Sequence, residues 1–443
     1  MQTGYDVIIR IRQDGEEMEA FKEVIQQGIT AFHVVEHGKK RLKQAGYQEL
    51  EYGTDWSHLK AGDYYTVPYP SMLIAFHIGA DEQQEGVRIA MAHTDSPCFK
   101  VKANPNMPGK YYVRANVEPY GGLLKTTWFD RPLGVAGKVI LRGKDAFHPE
   151  SRLVRSEAAV AVIPSLAPHL ARGSETGEIN VQQELIPIIG LGETEDLLRD
   201  ILWRPNGIKE AHILDYDLYL YNMDQPEEIG ANRELISAPR IDNLASVAAL
   251  LSAMEQLAKN ADAGIAVAAM FDNEEIGSRS KQGADSVLLV QILNKLGAGL
   301  GYESLAWQNK LSRGFLLSMD GAQGHHPNYP DKSDPTNQVY LGQGIVIKTS
   351  ASQRYLSDSE ASAVVKELCG QAEIAWQQQV NRSGMPGGQT LGPIASSYLP
   401  ILGADIGIPM LAMHSSRELA AVADYKGLEQ FAYTYYSYES KEA

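Results

Sequence analysis

Beyond Pro239 the chain alternates between two textures, and this alternation limits the folds open to it more than any other feature. Apolar residues recur at helical spacing in NLASVAALLSAMEQLAKN, DSVLLVQILNKLG and SEASAVVKELCGQA, while GIAVAAMF, GFLLSM and IPMLAM are short, continuous apolar runs. A strand that is apolar along its whole length is buried on both faces, and such strands separated by helices belong to a parallel sheet. The expected core is α/β, a doubly wound and mainly parallel sheet with helices on both sides.

The first part of the chain extends this picture. Residues 17–46 place Phe21, Val24, Ile25, Ile29, Phe32 and Val35 on one helical face. Acidic residues lead and basic residues follow, as the helix dipole favours, so a single helix stopped by Gly46 is expected. Segments 72–79 (MLIAFHIG) and 87–93 (VRIAMAH) read as further strands. From about 100 to 234 the texture changes: short strand candidates such as KVIL and AVAVIP alternate with Gly/Pro turns, and mixed runs such as HILDYDLYLY replace helical periodicity. A chain of 443 residues exceeds what one hydrophobic core usually serves. It therefore divides into an α/β domain formed by 1–99 and 235–443, interrupted by an inserted β-rich domain at 100–234. The tail YTYYSYESKEA reads as the end of a last helix.

Open α/β sheets place ligand sites beyond the carboxyl ends of their strands. Five segment ends are informative. VRIAMA leads into His93 and Asp95; Asp242 precedes the helix LASVAALL; AVAAMF is followed by Glu274 and Glu275; LLSM by Asp320; PMLAM by His414. Each has an ordinary explanation taken singly. Asp242 could cap its helix, the glutamates could complete a helix dipole, and Asp320 before Gly321 is a common turn. Together they are the histidines and carboxylates of a two-zinc site. A bridging carboxylate lets two cations sit about 3.5–4 Å apart. Asp242 suits that role, with His93 and Asp320 on one metal and Glu275 and His414 on the other. Asp95 is placed to orient the His93 ring. Glu274, adjacent to a ligand yet spare, is the natural general base.

The net charge of −15 argues against nucleic acid and anionic membranes as partners, since both demand clustered positive charge. Only two cysteines, Cys98 and Cys369, and an N-terminus without an apolar signal region point to a cytoplasmic protein. No stretch approaches the roughly 20 apolar residues of a bilayer span.

The motifs AFHVVEHGKKRL, AHTDSPCFKVK, TTWFDRPLGVAGKV, IPSLAPHL, APRIDNLAS, DNEEIGSRSKQGA, HHPNYPDK, SQRY and LAMHSSRE, spread over nearly the whole chain, resemble the aspartyl aminopeptidase and aminopeptidase I family of dizinc metallopeptidases. The resemblance implies a metallo-aminopeptidase with two Zn2+ per subunit (Mn2+ and Co2+ being alternatives), removing N-terminal Asp or Glu from peptides. It implies metal ligands at His93, Asp242, Glu275, Asp320 and His414, and a catalytic glutamate at Glu274. It further implies that the insertion is a dimerisation domain and that subunits form a tetrahedral dodecamer, in which His169 completes a neighbour's site. Lys348 and Tyr355 are similar to the family's substrate-contacting lysine and tyrosine, and His326 and the Gly387–Gly388 loop are further pocket candidates. Three departures bear on specificity: Gln323 where many members carry a histidine, the loop MPGGQTLGP, and TVPYPSMLIAFHIG without the usual Arg-Asn. A preference for neutral or hydrophobic N-terminal residues is the alternative reading.

Overall fold

The computed structural model describes residues 18–80, 86–107, 109–170, 178–194, 196–259, 264–385 and 387–438. The N-terminal segment MQTGYDVIIRIRQDGEE and the last five residues of the tail, both read above, lie outside them. A nine-stranded sheet runs in the order Gln48–Glu49, Gly62–Tyr69, Met72–Ile78, Ile265–Phe271, Arg88–His93, Phe315–Met319, Gly403–Gly407, Ile345–Thr349 and Trp376–Val380. Its four central strands, from Ile265–Phe271 to Gly403–Gly407, are mutually parallel. The strands Met72–Ile78 and Ile345–Thr349 that flank these four pair antiparallel with them.

Alternation along the central strands sorts the two faces. Ala90, Ala92, Ala266, Ala268 and Met270 face the helices Ala31–Gln44, Ile241–Leu257, Ser359–Gln371 and Val422–Ser437. Ile89, Met91, Val267 and Phe271 face Leu288–Gly299 and Ser304–Ser312. The alanines leave room for Ile241–Leu257 to lie close on the sheet, and that helix is buried nearly all round, as its composition requires. Leu250 and Leu251 are wholly enclosed, and each such side chain contributes about 1.5–3 kcal/mol.

Two smaller sheets stand beside the nine-stranded one among the described residues. Six antiparallel strands, from Cys98–Met107 to Ile213–Asn222, enclose a separate core that includes Phe99, Trp128, Trp203 and Leu218. A five-stranded sheet runs Glu227–Ile229, Leu235–Ala238, Glu418–Ala421, Pro409–Leu411 and Ala322–Gln323.

Two expectations need correction. Residues 17–46 are not one helix: the chain is helical at 18–27, breaks at Gly28–Thr30, and resumes at Ala31–Gln44. A Cβ on Gly28 would stand 2.7 Å from the Val24 carbonyl and 2.9 Å from Val34, so the two helices meet where only glycine fits. The run IPMLAM does not end the main sheet. That place belongs to Gly403–Gly407; Pro409, which has no N–H to donate, begins a separate strand of the five-stranded sheet. Asp242 and His414 thus leave the small sheet, not the large one.

Candidate metal centre

His93 is the last residue of its central strand, and Asp320 follows the neighbouring one. Nε2 of His93 lies 3.3 Å from Asp242 Oδ1 and 3.4 Å from Asp320 Oδ1. Nε2 of His414 lies 3.6 Å from Asp242 Oδ2 and 3.3 Å from Glu275 Oε2. Each oxygen of Asp242 therefore faces a different histidine. Atoms about 2.1 Å from one tetrahedral zinc stand roughly 3.4 Å from one another, which is the spacing seen here. Among the described residues, the ligand atoms of His93, Asp242 and Asp320 lie within 4.8 Å of one another, as do those of Asp242, Glu275 and His414. His93, Glu274 and Glu275 form a third such group.

Electrostatics point the same way. Asp242 Oδ1 and Glu275 Oε1 are buried without a hydrogen-bond partner, a costly state for a carboxylate that no cation satisfies. Burial pushes the Glu274 carboxyl up to about 8, with Asp320, Asp95 and Asp242 adding to the rise against His93. Burial followed by Asp242 drives Glu275 up strongly as well. His93 is held well above the ordinary imidazole range: burial opposes its charge, but the nearby carboxylates of Asp242, Asp320 and Asp95 outweigh it. At Asp320 burial is outweighed by Lys348 and His93, which hold the carboxyl below its usual range. The cluster gathers more negative charge than a buried site can hold alone, and divalent cations relieve that while favouring neutral histidine. The residues fit zinc.

The surrounding contacts fix these groups. Asp95 Oδ1 and Oδ2 accept the Glu274 and Glu275 amides at 3.2 and 3.1 Å, and His93 Nδ1 lies 3.0 Å from the Asp95 backbone carbonyl and 3.3 Å from Oδ1. The Glu pair opens a short 3-10 turn after Asn273, whose φ of 65° is the left-handed conformation that asparagine tolerates. Tyr120, from the six-stranded sheet, donates its hydroxyl to Asp95 Oδ2 at 2.7 Å and accepts from Asn273 Nδ2 at 2.9 Å. The Gly122 carbonyl lies 3.0 Å from His414 Nδ1, which fixes the tautomer that turns Nε2 to the cluster. Glu418 accepts the amides of both Asp242 and His414.

A family model described as aminopeptidase I zinc metalloprotease (M18) matches residues 24–436. The chain belongs to that family. It is a zinc aminopeptidase, a hydrolase. A probable M18 family aminopeptidase 2 of Clostridium novyi (strain NT) is 41% identical over 417 residues, covering 92% of this chain and 96% of the relative. A chain of the Ape4 and Nbr1 complex is 30% identical, with a TM-score of 0.89 over 96% of this aminopeptidase and 86% of that chain. The mApe1 dodecamer of S. cerevisiae shares the fold, with a TM-score of 0.82 at 24% identity over 95% of this chain and 96% of that one.

The aminopeptidase's other candidate residues are placed differently from the cluster. Lys348 is wholly buried and does not reach for water. Its Nζ donates to the carbonyls of Asp320 and Gly321 at 3.1 and 2.9 Å and stands 3.8 Å from Asp320 Oδ2. Tyr355 is buried with its ring centroid 5.4 Å from that ammonium. His326 packs against Tyr329 and accepts the Asn328 amide. His169 lies exposed on a turn of the β-rich segment. Gly387 abuts Asn381, whose Nδ2 would sit 2.0 Å from a Cβ there. Sequence reasoning missed Tyr120, Gly122 and Glu418. The tyrosine in VEPYGG and the glutamate closing LAMHSSRE were visible as residues, but nothing in their spacing says where they turn.

Proposed function

We propose that the enzyme uses two zinc ions per subunit and removes single, preferentially acidic, residues from peptide N-termini. One ion would be held by His93, Asp242 and Asp320, the other by Asp242, Glu275 and His414. The observation carrying this reading is Asp242, whose two oxygens face different histidines and so suit a bridge. When bound, the ions supply Lewis acidity and lower the pKa of nearby water to about 7. Glu274 belongs to neither of the groups that share Asp242. Its carboxylate takes a proton from the attacking water and returns it to the leaving amine. Asp95 holds the Glu274 amide and, through His93 Nδ1, the adjoining imidazole, so base and ligand keep one orientation.

The acidic preference rests on Lys348. Two of its three protons are committed to carbonyls, which leaves one for a substrate carboxylate, with Tyr355 beside it and His326 assigned as a further pocket residue. In a chain of net charge −15 such a cation offsets general repulsion of acidic peptides. The same two bonds, with Asp320 at 3.8 Å, favour a second reading in which Lys348 is already neutralised and neutral N-terminal residues are preferred.

We assign 1–99 and 235–443 to catalysis and 100–234 to dimerisation, within a homo-oligomer that we take to be a tetrahedral dodecamer. The six-stranded sheet has its own core, and Val162, Leu166 and Leu170 are exposed beside His169, the residue we assign to a neighbour's site. Both cysteines are unpaired, which supports a reducing cytoplasm.

The test is metal stoichiometry with a substrate panel. Two zinc ions per chain are expected; one would overturn the bridge. Asp- and Glu-p-nitroanilide should be cleaved faster than the Leu analogue, and an N-acetylated peptide should be left intact. Lys348→Ala should cost the acidic substrates about 10–100-fold, the value of one charged hydrogen bond of about 1.5–3 kcal/mol. Dominant Leu cleavage by the wild type would establish the second reading instead.

A further inference from the structure

Three of the five candidate ligands stand on or close behind left-handed backbone: Glu275 two residues after Asn273, and Asp242 and His414, whose segments share a support. Arg240, two residues before Asp242, has a φ of 60°; Ala412 and His414 have φ of 55° and 66°. Residues other than glycine hold this left-handed conformation only where their surroundings fix it. One side chain reaches both segments. Glu418, 2% exposed, accepts the Asp242 amide on Oε2 at 2.9 Å and the His414 amide on Oε1 at 2.8 Å.

Topology explains how. The strand Glu418–Ala421 lies between Leu235–Ala238 and Pro409–Leu411 in the five-stranded sheet, with Ala238 opposite Glu418. The chain leaves the first flanking strand toward Asp242 and the second toward His414. Glu418 therefore opens the middle strand where the two ligand segments diverge. His93 and Asp320 are secured independently, His93 in register with Phe271 and Asp320 through its amide to Ile406.

We infer that Glu418 is a positioning residue that sets the spacing of Asp242 and His414, so that the ion they share with Glu275 depends on it more than the other ion does. Both amides it holds belong to ligands of that ion; only one belongs to a ligand of its neighbour. Glutamine cannot substitute, since it keeps one acceptor and turns its NH2 group against the remaining amide N–H. Site selectivity presupposes the two-ion reading.

The experiment is zinc titration of stripped wild-type and Glu418→Gln protein against a chromophoric chelator, with His414→Ala and His93→Ala assigning the two steps. In Glu418→Gln the step lost in His414→Ala should weaken about 10–100-fold, the usual effect of a ligand's supporting partner, and at least several-fold more than the other. The unfolding midpoint in chelator should fall no further than one unmet buried amide requires, so that loss of the fold does not account for the weaker step. Equal weakening of both steps with a lowered midpoint, or no weakening, would overturn the role. A single step in the wild type would instead overturn the two-ion reading. Hydrogen exchange on the stripped wild type tests the contact without any variant: both amides should be protected, and free exchange at His414 would refute it.

Discussion

Replacing Tyr120 by Phe tests whether the six-stranded sheet acts on catalysis or merely adjoins it. The substitution removes one hydroxyl. Asp95 Oδ2 loses a donor at 2.7 Å, and Asn273 Nδ2 loses its acceptor at 2.9 Å, while the edge-to-face packing on Tyr219, centroids 5.7 Å apart, is retained. A hydrogen bond to a charged group is worth about 1.5–3 kcal/mol. Asp95 holds the Glu274 and Glu275 amides, so freedom gained by its carboxylate becomes misorientation of the proposed base and of one proposed ligand. At about 1.36 kcal/mol per tenfold in rate, kcat should fall roughly 10–100-fold. KM should move little, because no substrate contact is removed. The assay is steady-state kinetics at saturating zinc, with unfolding in chelator measured in parallel. A kcat within twofold of wild type, with a lowered unfolding midpoint, would make Tyr120 a packing residue only and break the link from this sheet to Glu274.

Glu274→Gln should abolish turnover while zinc content stays at the wild-type value; unchanged kcat would remove Glu274 from the mechanism. Chelation should abolish activity and lower the unfolding temperature, because the buried carboxylates then face one another unneutralised. Zinc added to 100 times its Kd should restore about 2.7 kcal/mol, and a midpoint insensitive to zinc would contradict the assignment. His33, lowered from 6.5 to about 4 by burial and then by Arg155, should give an acid-side loss of stability. Its neutral form contributes fully above pH 6.5. As pH falls toward 4 the unfolded chain binds a proton that the fold refuses, at a cost of about 3 kcal/mol. Denaturant unfolding of His33→Asn against wild type from pH 7 to 4 should show that slope reduced; parallel curves would refute it.

The parallel sheet was legible because IAVAAMF and RIAMAH are buried on both faces and read as unbroken apolar runs. The five-stranded sheet was not. Its strands are as short as Ala322–Gln323, below the length at which any periodicity can register. Gly403–Leu411 shows why hydropathy alone misassigns a strand. GADIG is buried throughout and PML at Pro409 and Met410, and only the register places the first beside Phe315–Met319 and the second beside Glu418–Ala421.

The candidate ligands could be named because each is a histidine or carboxylate standing next to a recognisable element end. Of their support, Asp95 could be named, two residues past His93; the rest could not, because it works through backbone atoms that every residue has. Gly122 acts through its carbonyl and Glu418 through the amides of Asp242 and His414, and neither contact leaves a mark on composition or spacing. Lys348 shows the reverse limit. Its position in IVIKT required that the ammonium find an anion or escape to water. That reasoning could not foresee that carbonyls of Asp320 and Gly321, delivered by a strand two places away in the sheet, would take two of its protons. What a chain's pattern discloses is which groups must be satisfied; which neighbour satisfies them is decided by register, and register is a property of the assembled sheet.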